Sequence, residues 1–364
     1  MLRLATNDAL GLALVARERA DGKHLALREE AEALAQVLGH HVARHARLRL
    51  HVDRHVRDAV ARLEDDLELV LHAGDLHERL LHLARVEVDP LDDEHVIRFG
   101  LAVSGDGLHF ERVSDCPVFG PSADGPDSGC VEDPRIVKLG NTFYITYAYR
   151  AYAPGRYWTF PFDTVRYPEA DASDPAAWAH NLSNTGLAMT QDFRHFRRLG
   201  RITSPVLDDR DVILFPEKVG GKYVLLHRPK QYVGPDYGVT YPSIWLKYSE
   251  DLLCWEDKPS QLLLSGRPGT WEEKVGGSAP PILTEEGWLM LYHGVADGGR
   301  SRYSVGAALL DREVPSKVIA RSPEPVLVPE YPYETSGCYA GCIFPAGNVV
   351  VDGTLYVYYG AADQ

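Results

Sequence analysis

Four stretches of the chain carry the same alternation of apolar and polar positions behind a polar or glycine turn: GNTFYITYAY (140–149), GGKYVLLHRP (220–229), EGWLMLYHGV (286–295) and DGTLYVYYGA (352–361). A period of two over a short run turns one side of each segment toward a core and predicts β-strands. A second unit falls between them: LAVSGDGLHF (101–110), LAMTQDFRHF (187–196) and LKYSEDLLCW (246–255), each reading as a strand, a Ser/Thr-x-Asp turn and an aromatic. GAALLD (306–311) is a worn fourth copy. The two units alternate at roughly 65 to 80 residues, which suits propeller blades with long loops better than a sandwich. The expected class is all-β, of β-propeller type; a generic sheet with Gly-aromatic turns is the alternative.

Residues 1–95 have another texture. Ten of the fifteen histidines lie before Phe99, and Tyr, Trp and Phe are absent there. Val52, Val56, Val60, Leu63, Leu67 and Leu71 recur every three or four residues, the stripe of an amphipathic helix that Gly74 would stop. His51 and His55 have the i,i+4 spacing of a helical metal pair, but no Glu lies between them and no third ligand is evident, so a solvated helix face is the reading. The chain thus divides into a helical, atypical segment 1–95 and a β-propeller domain 96–364.

Composition narrows the partners. With 45% apolar and 25% charged residues, the 364-residue chain can bury a core and stay in solution. A net charge of −14 excludes nucleic acid and anionic membranes as default partners, so an anionic ligand would need a local cationic pocket. The five cysteines form no CxxC pair, which suits free thiols in a reducing compartment. The apolar run ALGLALVA (9–16) is too short to span a membrane, and the expected location is cytoplasmic.

Candidate chemistry concentrates at VEDPR (131–135), which heads the first aromatic strand; the other three strand heads carry no copy of it. Pro134 stiffens the segment and holds the Asp133 carboxylate. Polar groups also stand near strand ends in FPEK (215–218), LHRP (226–229), GSAPPI (277–282) and WLMLYHG (288–294). With FGLAVSGDGLHF, VEDPRIVKL, LFPEKVGGKYVLLHRP, SAPPILTEEGWLMLYHGV, SKVIARSPEPVLVPE and LYVYYGAAD in this order, residues 99–364 resemble glycoside hydrolase family 130, the inverting mannoside phosphorylases and β-mannosidases.

The resemblance implies a five-bladed propeller in which Asp133 is the proton donor. The place of the family's first blade is taken here by the aromatic-free segment, either as a helical replacement or as a misread gene start. Inverting cleavage sets an acid and a nucleophile on opposite faces of the sugar. In the phosphorylases the nucleophile is inorganic phosphate, a co-substrate that calls for cations and donors and for no further cofactor. Arg150, Lys218, His227, Arg228 and His293 are the expected phosphate ligands, with Arg156 an equal occupant of the Arg150 role. Glu132, Arg135, Tyr149, Glu217, Tyr292 and Asp311 are the expected substrate contacts. The expected partners are a manno-oligosaccharide and phosphate, with a homo-oligomer left open. The family's hydrolases activate water with carboxylates; Glu272 and Glu273 in TWEEKVGG are the pair that could serve, although a solvated turn is the preferred reading. A non-catalytic sugar-binding propeller is the reading from another class.

Overall fold

The computed structural model describes residues 96–152, 182–296, 302–337, 339–351 and 354–362, together with the backbone of strands at 2–3, 69–73 and 80–87. Their regular structure is almost wholly antiparallel strand, in five sheets. Strand β1 (Leu2–Arg3) joins the last of them. The first sheet has the order β2 (Leu69–Ala73), β3 (Leu80–Glu87), β4 (Ile97–Ser104) and β5 (Phe110–Arg112). The second runs β6 (Cys130–Leu139), β7 (Thr142–Arg150), β8 (Asn184–Thr190) and β9 (Phe196–Arg201). The third runs β10 (Asp209–Leu214), β11 (Tyr223–Pro229), β12 (Ile244–Ser249) and β13 (Gln261–Leu264).

The fourth sheet comprises β14 (Lys274–Gly277), β15 (Ile282–Leu283), β16 (Trp288–Val295), β17 (Tyr303–Leu310) and β18 (Val318–Arg321), with β14 and β15 both paired to β16. The fifth has β19 (Ile343–Val351) and β20 (Thr354–Ala361), with β1 on the outer side of β20. One short helix stands among the described residues, α1 (Pro332–Thr335). No described helix is long and apolar enough to cross a membrane.

Several strands are buried on both faces, as in β16 where every residue is buried, and neighbouring sheets share a core between them. Val137 and Leu187 pack with Leu214 and Leu225 between the second and third sheets. Val224, Leu226 and Ile244 meet Trp288, Met290 and Ala308 between the third and fourth. Leu291, Val305 and Ala307 meet Ile343 and Leu355 between the fourth and fifth. Each fully buried Leu, Ile or Phe contributes about 1.5–3 kcal/mol. Adjacency closes on itself: β2 of the first sheet lies against both β6 and β19.

The expected helical segment is corrected over residues 69–87, which are strand. β3 pairs with β4 in register from Leu80↔Ser104 to Glu87↔Ile97, and β2 pairs with β3. The first sheet therefore crosses the expected boundary at residue 95, and two of its four strands are drawn from the aromatic-free segment. The three-to-four spacing that ends at Leu71 meets the period-two pattern of LLHLARVE, and the long ladder to β4 decides between them. Val52 to Leu67, His51, His55 and Gly74 lie outside the described residues.

The repeated Ser/Thr-x-Asp unit is one turn built three times, and the worn copy at Asp311 builds it again without the Ser/Thr. Asp106 Oδ1 accepts the backbone N–H of Leu108 at 2.9 Å and of His109 at 2.8 Å. Asp192 accepts Arg194 and His195 in the same way. Asp251 accepts Leu253, and Asp311 accepts Glu313 and Val314. The side-chain oxygen replaces a backbone acceptor and fixes the turn. These turns join the last two strands of four sheets. Asp311, expected to contact substrate, is the turn residue of the fourth copy, with Lys317 3.5 Å away.

Candidate active site

The sheets have two distinct ends. One carries the Ser/Thr-x-Asp turns; the other carries the starts of β6 and β10 and the ends of β7, β11 and β16. At this second end, β6 loses register between Glu132 and Arg135, and β10 does so between Arg210 and Ile213. Asp133 sits in the first bulge at φ 49° and Asp211 in the second at φ 52°. A bulge re-aims the side chain it carries, and aspartate is among the residues that tolerate a left-handed backbone. EDPR is therefore not without a counterpart: DRDV (209–212) does the same thing one sheet later.

Around Asp133, which is half-buried, the charges are paired and sunk. Arg150 at the end of β7 donates from Nε to Glu132 Oε1 at 3.2 Å, and Cys130 Sγ lies 3.1 Å from the same oxygen. Arg135, 2% exposed, donates from Nε to the Ser278 carbonyl of the fourth sheet and lies 5.0 Å over the Phe344 ring of the fifth. One guanidinium thus ties three sheets together beside the bulge.

Asp211 forms a second knot. Arg228 Nε donates to its Oδ2 at 2.5 Å, and His293 Nε2 stands 3.5 Å from that oxygen. Burial alone would raise the Asp211 pKa, but Arg228, His293 and Arg135 outweigh it and hold the carboxyl at about 2. Burial lowers His293 to about 3; Arg228, Lys274 and Arg135 push the same way, and Asp211 only partly opposes them. His293 is therefore neutral at physiological pH. Its ring packs against Phe344 at 4.9 Å and Tyr303 at 5.4 Å, and Lys274 Nζ lies 5.5 Å over Tyr303. Gly276 makes this possible: a Cβ there would collide with both Asp211 Oδ2 and His293 Nε2.

The structure brings together Asp133, Glu132, Arg135, Arg150, Arg228 and His293 at this end. It does not bring Lys218 or Glu217 there. Both are exposed in the turn between β10 and β11 at the opposite end, where Lys218 Nζ caps the Tyr223 ring at 4.1 Å. His227 and Arg228 are consecutive strand residues, so they face opposite sides of β11. His227 Nδ1 meets Asp209 Oδ2 at 2.8 Å and its Nε2 meets Ser260 Oγ at 3.0 Å.

Tyr292 is likewise turned away from His293 and donates to Glu272 Oε2 at 2.6 Å. Tyr149 packs in the core with Tyr147 and Phe119, and burial raises its hydroxyl to about 12. Glu272 is fully buried between Tyr292, Arg321 at 2.7 Å and Arg267 at 3.0 Å, while Glu273 caps the Gly269 N–H at 2.7 Å. Neither stands as a base; Glu273 caps the expected turn, but Glu272 is buried among these partners and is not solvated. Arg156 lies outside the described residues. Asp209, Asp211, Lys274, Gly276 and Phe344 escaped the sequence reading; the signal for Asp211 was a second acidic pair heading an apolar strand. No cluster of His, Cys, Asp or Glu able to hold a metal occurs among the described residues.

The arrangement of these sheets is shared by solved structures. A β-1,2-mannobiose phosphorylase from Listeria innocua, in complex with β-1,2-mannobiose, superposes with a TM-score of 0.61 at 28% identity, over 83% of this chain and 89% of that one. A 1,2-β-oligomannan phosphorylase from Thermoanaerobacter sp. (strain X514) is 39% identical over 274 residues, 74% of this chain and 77% of the relative. A β-1,4-mannooligosaccharide phosphorylase from Ruminococcus albus is 30% identical, over 71% of this chain and 69% of its own length. The family model described as β-1,4-mannooligosaccharide phosphorylase matches residues 176–364. The chain belongs to glycoside hydrolase family 130 and is an enzyme of the glycoside phosphorylase kind.

Proposed function

We propose that this enzyme cleaves β-mannosidic bonds of manno-oligosaccharides with inorganic phosphate, releasing mannose 1-phosphate with inversion. Asp133 donates the proton that the departing sugar oxygen needs, directly or through a sugar hydroxyl. Phosphate attacks C1 from the opposite face, so the C–O bond to the leaving sugar breaks as the C–O bond to phosphate forms. The five sheets are the blades of a propeller whose inner strands are β2, β6, β10, β14 with β15, and β19. The ring of sheet contacts supports this, as does β1 completing the last blade.

One observation carries the choice of phosphate. Arg135 Nη2 and Arg228 Nη1 are buried and have no hydrogen-bond partner among the described residues. A buried guanidinium proton left unmatched is costly, and an anion with several acceptor oxygens satisfies it. Arg228, Arg135, Arg150 and Lys274 supply charge, and neutral His293 supplies a ring N–H or a lone pair. A water nucleophile would need a carboxylate base, and Glu272 and Glu273 are engaged elsewhere.

The test is turnover of β-1,2- and β-1,4-mannobiose across a phosphate titration. Mannose 1-phosphate rising with phosphate, and no cleavage without it, is the expected result. Free mannose formed at zero phosphate would assign the chain to hydrolysis instead. Binding without turnover under either condition would make it a lectin.

A further inference from the structure

The connection from β11 to β12 leaves the site end of the third sheet and holds two tyrosines that, with Trp245 at the start of β12, form an aromatic cluster the reaction above does not use. Tyr232 and Tyr237 stack with centroids 4.4 Å apart and planes 14° apart. Trp245 stands perpendicular to both, at 5.3 and 6.0 Å. The Tyr232 ring also meets His227 edge-on at 6.2 Å, and His227 holds Asp209, two residues before Asp211. The cluster therefore stands at the site end of the sheet, on the face of β11 that carries His227, and away from the distant turns.

It is also rigid. Gly234 and Val239 form a bridge, with the Gly234 N–H on the Val239 carbonyl at 2.6 Å and the Gly238 N–H on the Gly234 carbonyl at 3.0 Å. Gly234 at φ 97° and Gly238 at φ 69° supply the left-handed backbone this tight loop demands. The loop presents Tyr237 at 38% exposure, with its ring stacked on Tyr232 and met at an angle by Trp245. Trp245 is 7% exposed, and its Nε1–H is a buried donor without a partner among the described residues.

We infer that Tyr237, backed by Tyr232 and Trp245, is a platform for sugar residues beyond the first on the leaving-group side of the scissile bond. This rests on the phosphorolysis reading and adds a determinant of chain length to it. The groups around Asp133 and Asp211 are sunk in the sheets, so the mannosyl unit transferred to phosphate lies inside. The remainder of the chain has to leave past the rim, and this aromatic tip stands on the rim. Pyranose C–H faces carry slight positive charge and pack on the negative face of an aromatic ring. A preformed stack loses little conformational entropy on contact, so it favours longer saccharides at low cost.

The experiment compares phosphorolysis of a mannobiose and of a mannotetraose of the same linkage by wild type, Tyr237→Ala and Tyr237→Phe. Tyr237→Ala is expected to lower kcat/KM for the tetraose about tenfold, through KM, while the mannobiose value stays within about twofold. Tyr237→Phe, which keeps the ring, retains the wild-type ratio. Equal loss on both substrates, or an unchanged ratio in Tyr237→Ala, overturns the platform. Wild type without phosphate-dependent turnover would overturn the phosphorolysis reading instead. Titration of phosphate-free protein with the tetraose then decides the platform alone, because only a platform makes Tyr237→Ala weaken that binding.

Discussion

Asp192 and Asp211 each face a histidine, at opposite ends of the sheets. Asp192 accepts from His195 at 2.7 Å in a turn where that histidine's side chain is 88% exposed. Asp211 stands 3.5 Å from a His293 side chain that is 1% exposed, with Arg228 on the same oxygen. Water screens the first pair and supplies either partner if the other is lost, so the pair serves only to shape a turn. At the inner end each charge depends on its neighbours, because removing one strands another in low dielectric. The backbone differs in the same sense. The turn aspartates accept local N–H groups, whereas Asp133 and Asp211 occupy left-handed conformations within strands. Strain of that kind persists where surrounding structure over-determines it.

The sharpest way to break this contrast is at Asp133. Asp133→Asn retains a residue that tolerates the left-handed backbone and removes only the proton donor. It is expected to lower kcat on an unactivated mannoside by about 10² to 10⁴-fold with little change in thermal stability. Near-normal turnover would remove Asp133 from the reaction. Gly276→Ala comes next. Its methyl would separate Asp211 from His293, and overpacking of this kind costs about 1–3 kcal/mol. Denaturant unfolding should show that loss together with a drop in kcat/KM, whereas an unchanged midpoint would mean the site has slack.

The inner histidine should also leave a mark on acid stability. His293 falls from its ordinary 6.5 to about 3 on folding, so between those values the unfolded chain binds more protons than the folded one. Stability should therefore decline as pH drops from about 6.5 toward 3. His293→Gln should flatten that slope in a pH series of unfolding midpoints. The smallest effect is expected at Asp192→Ala, which removes one turn acceptor, costs about 1 kcal/mol or less and leaves kcat/KM as it was.

Much of this arrangement is legible in the chain. Period-two alternation located β7, β11, β16 and β20, and the Ser/Thr-x-Asp pattern with its worn copy GAALLD located four turns, because strand pleat and side-chain capping are local properties. EDPR stood out because its acidic pair and proline interrupt an apolar strand. Lys218 shows where local reading fails: FPEK looks like a cationic strand end, but it is the end facing away from Asp133, and only the β10–β11 register reveals that. His227 and Tyr292 fail for a related reason. Each neighbours a site residue in sequence, and a strand turns such neighbours to opposite faces.

The sequence by itself determined the strand units, their turns, the proton-donor candidate and the acidic balance that any anion site must overcome. Pairing decided the rest. β3 became strand because the whole of β4 lay open to it as a partner, although its segment lacks the aromatics of the other sheets. Asp211 became a site residue because a bulge in one sheet and a glycine in the next let it reach His293 across the gap. Contacts of that kind join residues 82 positions apart in the chain. No local pattern encodes them, because they exist only once separate sheets have packed and excluded water between them.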